Sequence, residues 1–300
     1  MTRSVVGLLT VGVFVGVQAP SLESVLARAG EYVAQSRQNL AALVAEEYSV
    51  QIQRNYGVQS GNLPGMGESS GHTRRSLRSE LVLLAVPGRN VWDAYRHTFA
   101  VNGQPVDDQK DRLRRVFSGS PAAAVAEAAR LSNENARFNL GAIRRNMNLP
   151  TLALEFLASA SQPGFSFTKK GEKKVDGVPV WVIAFVEVRR PSLISTPDGR
   201  SLPVRGEMWV DPANGRVMKT QVTLDSLDAF KEMKERPEDY TAFPRVAIET
   251  TFRLDRALNA LVPVEMQESY DRGAEVVTCT VTYTNYSRLE IDLTLLVPKG

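Results

Sequence analysis

The sequence predicts an α+β fold: a large curved antiparallel sheet, an incomplete β-barrel, with helices covering its concave face. Three observations predict it. An amphipathic helical stretch stands near the start of the chain, and a second helical stretch interrupts the strands at 121–157. From Phe165 onward the chain reads as strands joined by turns short enough to force antiparallel neighbours. So broad a sheet must shelter its apolar face, and the two helical stretches are the cover available.

Taken in order, the chain begins with Arg3, an uncharged apolar stretch from Val5 to Val17, and small residues at Val17 and Ala19. That pattern predicts a signal peptide over 1–19, removed on export to a periplasmic or secreted location. The apolar stretch is shorter than the roughly 20 residues of a spanning helix, so no transmembrane span is expected in the mature chain. Pro20 follows Ala19 with no cysteine nearby to acylate, which argues against a lipid anchor. Residues 20–300 then form a single half-barrel domain with a helical insertion at 121–157.

Residues 21–46 carry Leu22, Val25, Leu26, Ala29, Val33, Leu40, Leu43 and Val44 near a helical period, with Ser21 as cap and Glu23 in the first turn. Alternation at Tyr48, Val50 and Ile52 then predicts a half-buried strand with those residues inward. The stretch 54–73 is glycine-rich and reads as a loop. Strands follow at 77–86 and 91–101, the second ending in the turn signal Asn102-Gly103, and a strand or short helix runs to Phe117. Within 121–157, Pro121 fits a helix start and Pro150 a break between two helices. Its amide-rich and arginine-rich part, from Asn133 to Asn148, reads as a solvated helical face or as the lining of a polar site.

The run from Val178 to Val188 is apolar at successive positions, which predicts a central strand covered on both faces. Later strands alternate, with one apolar face. The charged residues 225–243, containing Pro237, read as an excursion from the sheet.

Composition narrows the function. The chain has 300 residues, 43% of them hydrophobic, enough for a sizeable core. Its net charge of +3 comes from interspersed cations and anions, unlike the clustered cations of a nucleic-acid surface. The single cysteine, Cys279, alternates with Val277, Val281 and Tyr283 and reads as a buried, inert thiol.

The chemistry-bearing patterns are weak. The two histidines, His72 and His97, are too few for most zinc catalysts, and His97 shares a strand face with Tyr95 and Phe99 as a structural residue would. No serine sits in a Gly-x-Ser-x-Gly elbow. Ser166 and Lys169 match Ser-x-x-Lys, yet lie in a strand pattern where they cannot share a helix face. Asp107, Asp108 and Asp111 lack the spacing of a calcium loop, and Glu187, Glu207 and Asp211 are carboxylates any strand protein offers. The sequence therefore implies no cofactor, no metal and no enzyme.

One segment carries a family resemblance. The hairpin Gly206-Glu207-Met208-Trp209-Val210-Asp211-Pro212-Ala213-Asn214-Gly215-Arg216-Val217-Met218-Lys219, followed by Val262 to Met266 and by Tyr283-Thr284-Asn285-Tyr286, resembles the periplasmic lipoprotein carriers of the Lol type and their exported relatives. The resemblance spans roughly 165–288 and implies a half-barrel with a hydrophobic pocket for acyl chains. The insertion at 121–157 and the excursion at 225–243 exceed a minimal carrier. The expected partner is a lipid or other hydrophobic ligand, lined by Met208, Val210, Met218, Val222, Ile248, Phe252, Met266 and Tyr270. The alternative is an envelope protein that binds a protein partner and has no ligand pocket.

Overall fold

The computed structural model describes residues 19–56, 71–87, 92–107, 111–118, 121–141, 148–195, 201–224 and 245–293. Residues 1–18, which hold most of the expected signal peptide, most of the glycine-rich stretch and the whole of 225–243 lie outside the described residues.

Helix α1 (Leu22–Asn39) starts as its sequence dictates: the Ser21 hydroxyl oxygen accepts the Ser24 N–H at 3.1 Å, with Glu23 in the first turn and Arg37 in the last. It stops at Asn39, short of the expected residue 46. The residues Ala42 to Glu46 pair with strands on both sides, and two ladders of backbone bonds outweigh a helical period of a few residues.

The strands are β1 (Ala42–Asn55), β2 (His72–Leu84), β3 (Asp93–Val101), β4 (Gln104–Pro105), β5 (Phe165–Val175), β6 (Val178–Glu187), β7 (Val204–Val210), β8 (Val217–Leu224), β9 (Arg245–Asp255), β10 (Ala260–Asp271) and β11 (Glu275–Arg288). They form one 11-stranded sheet in the order β4-β3-β2-β1-β11-β10-β9-β8-β7-β6-β5. Every pairing is antiparallel, and the sheet ends on β4 and β5 instead of closing. The fold is thus an open antiparallel sheet with helices against it. Strand β6 lies one place from the edge, not at the centre, and Val186 is 51% exposed. Its apolar run reflects local shelter: Val182 on the outer face is buried beside its cross-strand neighbour Trp209.

The insertion divides between the two faces. Helix α3 (Pro121–Asn135) and α2 (Arg112–Phe117) bury Leu113, Phe117, Ala124, Ala128 and Leu131 with Val44, Val82 and Tyr95, on the outer face of β1–β3. Its second part, including the short helix α4 (Leu154–Leu157), packs on the inner face with α1. Helix α3 also closes a sheet edge. The β3 N–H groups of Arg96 and Thr98 donate to Ser132 Oγ at 2.8 Å and Asn135 Oδ1 at 3.0 Å, so two side chains one turn apart replace a twelfth strand.

Candidate functional site

The inner face has an apolar half and a polar half. From β6 to β10 the cross-strand rows are Ile183, Met208, Thr220, Thr250 and Met266, then Phe185, Gly206, Val222, Ile248 and Glu268. All eight predicted lining residues lie here. Met208, Val210, Met218, Val222, Ile248, Phe252, Met266 and Tyr270 belong to one apolar cluster, each 0–7% exposed.

The cover over them is thin. It consists of α1, which contributes Val25, Ala29 and Val33, and the segment around α4, which contributes Leu154, Phe156 and Leu157. Phe156 stacks on Phe165 at 5.1 Å and tilts against Phe185 at 5.5 Å. The two pieces of cover are tied to each other by Arg37 and Glu155 at 2.6 Å, and by Gln162 Nε2, which donates to Leu26 O at 2.9 Å and Leu157 O at 2.7 Å. Burial pushes the Glu155 carboxyl up to about 7 although Arg37 pulls it down. Helix α1 meets the sheet at the β7–β8 turn, where Arg28 donates to Pro212 O at 2.7 Å. Gly215 there has φ +74° and leaves no room for a Cβ, which would lie 2.3 Å from the Arg28 carbonyl carbon.

The polar inward groups gather on β1 and β3 with Ser79 of β2, beside the apolar inward residues Val277, Cys279 and Val281 of β11 and Leu81 and Leu83 of β2. Glu47, Ser49 and Gln51 face inward and are 2%, 1% and 0% exposed, whereas Tyr48 is 42% exposed. This reverses the expected orientation of β1, in which Tyr48, Val50 and Ile52 pointed inward. The reversal is possible because polar partners await the inward groups. Arg96 Nε donates to both Glu47 oxygens at 2.9 and 3.1 Å, and the same guanidinium reaches Asn148 O at 2.7 Å and Asn148 Oδ1 at 3.1 Å. Gln51 accepts the Leu140 N–H at 2.8 Å and donates to Asn139 Oδ1 at 3.0 Å. Tyr270 donates to Glu268 Oε2 at 2.6 Å, and the Tyr283 hydroxyl lies 3.8 Å from Met266 Sδ. Burial, then the nearby Glu47 charge, pushes Tyr283 well above the usual tyrosine range.

Sequence reasoning missed Glu47, Arg96, Glu268 and Gln51. The signal was present in the period-two spacing of Glu47, Ser49 and Gln51, a complete polar face alternating with Tyr48, Val50 and Ile52. Asn135, Asn139 and Asn148 bond to the sheet, as the polar-lining reading expects, whereas Asn133, Glu134 and Arg137 are exposed, as on a solvated face, and Arg144, Arg145 and Asn146 lie outside the described residues.

The other singled-out residues sit apart from this face or serve its frame. His97 is buried on the outer face with Nε2 3.0 Å from Asp107 Oδ2. Cys279 is buried. Ser166 lies on β5, and Glu187 accepts the N–H groups of Leu193 and Val204 at 2.7 and 3.2 Å, pinning the segment between β6 and β7. Among the described residues no cluster of three His, Cys, Asp or Glu is placed to hold a metal ion. No helix among them is long and apolar enough to cross a membrane.

No family model matches the chain, and no curated protein matches it. Among solved structures it is similar to a DUF1329 family protein from Desulfovibrio piger, with 10% identity, 88% of this chain and 92% of that chain covered, and a TM-score of 0.32. It is also similar to a LolA superfamily protein from Nitrosomonas europaea, with 12% identity, 93% and 99% covered, and a TM-score of 0.30. A third is lipoprotein LppX from Mycobacterium tuberculosis, with 12% identity, 90% and 100% covered, and a TM-score of 0.23. The Lol-type resemblance read from the hairpin recurs among these neighbours.

Proposed function

We propose that the protein is an exported envelope protein that holds a lipid or other hydrophobic ligand between its open sheet and the cover of α1 and the α4 segment. The observation that supports this reading is the architecture of the inner face. A largely apolar surface, interrupted by Thr220, Thr250 and Glu268, runs from β6 to β10, the sheet does not close over it, and the cover is α1 and the α4 segment, tied to each other by Arg37–Glu155 and Gln162. An acyl chain entering there gains about 25 cal/mol per Å² of its own apolar area that becomes buried, less the same for any apolar face of α1 that it uncovers. No catalytic group is required. The eight residues from Met208 to Tyr270 named above are the proposed contacts.

Mild purification followed by solvent extraction and mass spectrometry tests this directly, together with uptake of a fluorescent fatty acid. The expected result is co-purified lipid or saturable uptake that Met266→Arg abolishes in a folded variant. Lipid-free protein with no uptake overturns the reading.

The second reading, an envelope protein that recognises a protein partner and carries no cargo, draws on the complete burial of the same eight residues. Uptake measurements separate the two.

A further inference from the structure

Strands β1 and β2 end in a cleft of about 360 Å³ lined by Ile52, Arg54, Tyr56, Gly71, His72 and Arg74. It lies on the outer face, opposite the polar inner row of Ser49 and Gln51. Cross-strand register sets Arg54 against His72 and Ile52 against Arg74, so two guanidiniums and an imidazole share a few ångströms of surface. On the other side of β1 the partners are Val276 and Thr278, neither charged. Among the described residues lining the cleft none carries a carboxylate. By contrast, Arg37, Arg78, Arg96, Arg112 and Arg130 each meet a carboxylate within the fold.

Arg54 and Arg74 are diagonal neighbours on adjacent strands with no carboxylate among the described residues lining the cleft, and a surface that gathers cations in this way suits an anion from outside. The remaining lining narrows the class. Tyr56 is 51% exposed, and with Ile52 it adds an aromatic ring and an aliphatic side chain beside the guanidiniums. A soluble anion needs only the charges, whereas a bilayer surface offers phosphates with an apolar boundary directly beneath, where tyrosine is favoured.

We propose that this cleft docks the protein on the phosphates of an anionic phospholipid surface. The choice of a bilayer rests in part on the cargo reading, since a lipid-holding protein must meet a membrane to load or unload. Docking uses the outer face of the β1–β2 tip and leaves the inner face free.

The test is co-sedimentation of the protein with vesicles of phosphatidylcholine alone and of phosphatidylcholine mixed with phosphatidylglycerol. Wild type, Arg54→Glu/Arg74→Glu and Arg54→Lys/Arg74→Lys are compared in the same chain, so any other lipid-seeking segment contributes equally to all three. Wild type is expected to prefer the anionic vesicles, and more weakly at high salt. The glutamate variant loses tenfold or more of that affinity, and the lysine variant keeps most of it. Arg54→Gln/Arg74→Gln serves as the charge-removing variant if charge reversal disturbs folding, with thermal melting as the check. Equal binding by wild type and the charge-altered variants overturns the proposal. So does binding of inorganic phosphate by wild type without any preference for anionic vesicles. Fatty-acid uptake is measured on the same samples: docking lost with uptake intact identifies the cleft alone, while uptake absent throughout with docking intact rejects the cargo reading and leaves the docking site.

Discussion

The two halves of the inner face solve the burial problem in opposite ways. From β6 to β10 the inward rows are mostly methionine, valine, isoleucine and phenylalanine, interrupted by Thr220, Thr250 and Glu268, and dispersion with the exclusion of water holds the apolar pieces together without direction. On β1 and β3 the same face turns to Glu47, Gln51 and Arg96, held by short directed bonds to one another and to Asn139, Leu140 and Asn148. A non-directional surface tolerates exchange of one apolar partner for another, and so can trade a helix for an acyl chain. A directed network does not tolerate exchange, because each unmet group costs its full desolvation. The polar network therefore anchors the insertion to β1 and β3, and under the proposed cargo reading the apolar half is the part that opens.

The sharpest way to break this comparison is to remove one partner on each side. Glu47→Ala leaves the Arg96 guanidinium buried without its carboxylate and is expected to cost about 3–5 kcal/mol in urea unfolding. Phe252→Ala, in the apolar half, costs about 3–5 kcal/mol through its cavity. The two differ in repair: Glu47→Leu with Arg96→Met restores most of the loss, as replacement of a whole buried ion pair often does. A double variant as unstable as Glu47→Ala alone means that Glu47 and Arg96 are not acting as a unit.

A second measurement sharpens the idea that the cover is the weak side. Glu155 is held near 7 in the folded protein against 4.5 for the ordinary carboxyl, because it is buried at the junction of α4 and α1. A carboxyl raised in the folded state favours folding below its unfolded value and loses that contribution as pH climbs through the folded one. Stability is therefore expected to fall between about pH 4.5 and pH 7. Glu155→Gln should remove about 3 kcal/mol of that fall. Urea midpoints at pH 4.5, 6 and 7.5 check it, and an identical slope in the variant assigns the effect to other groups.

The open antiparallel sheet was legible in the sequence because turns such as Asp211 to Gly215 and Asp271 to Gly273 are local, and local signals survive folding. The cap at Ser21 was legible for the same reason. What sequence patterns misplaced depends on contacts across the chain. The residues Ala42 to Glu46 read as helix until β2 and β11 supply two ladders. The inward side of β1 read as Tyr48, Val50 and Ile52 because apolar residues are assumed to be inside. That assumption fails where Arg96 from β3 arrives to satisfy Glu47, Asn139 from the insertion accepts from Gln51, and Asn148 completes the bonds of Arg96. The eight apolar contacts were placed on the buried face by alternation alone, but whether a ligand or a helix covers them is a property of the cover, which alternation does not encode.

A third expectation concerns the edge. Ser132→Ala removes the acceptor of the Arg96 N–H, so it should cost about 1 kcal/mol and raise hydrogen exchange at β3, the strand that carries the anchor's guanidinium. Unchanged exchange there would mean that α3 covers the edge by packing alone.

The smallest effect is the most discriminating. Ser49 lies on the boundary between the two halves, flanked across the strands by Val281 and Leu77, and its buried hydroxyl oxygen makes no hydrogen bond. A hydroxyl that belonged to the anchor would be costly to delete. One stranded on the apolar side of the boundary is not, and its removal relieves an unmet desolvation cost. Ser49→Ala is accordingly expected to be neutral or to stabilise by up to about 1 kcal/mol in urea unfolding, with fatty-acid uptake unchanged or slightly stronger. A loss of stability of the size predicted for Glu47→Ala would move the boundary past β1 and enlarge the anchor at the expense of the groove.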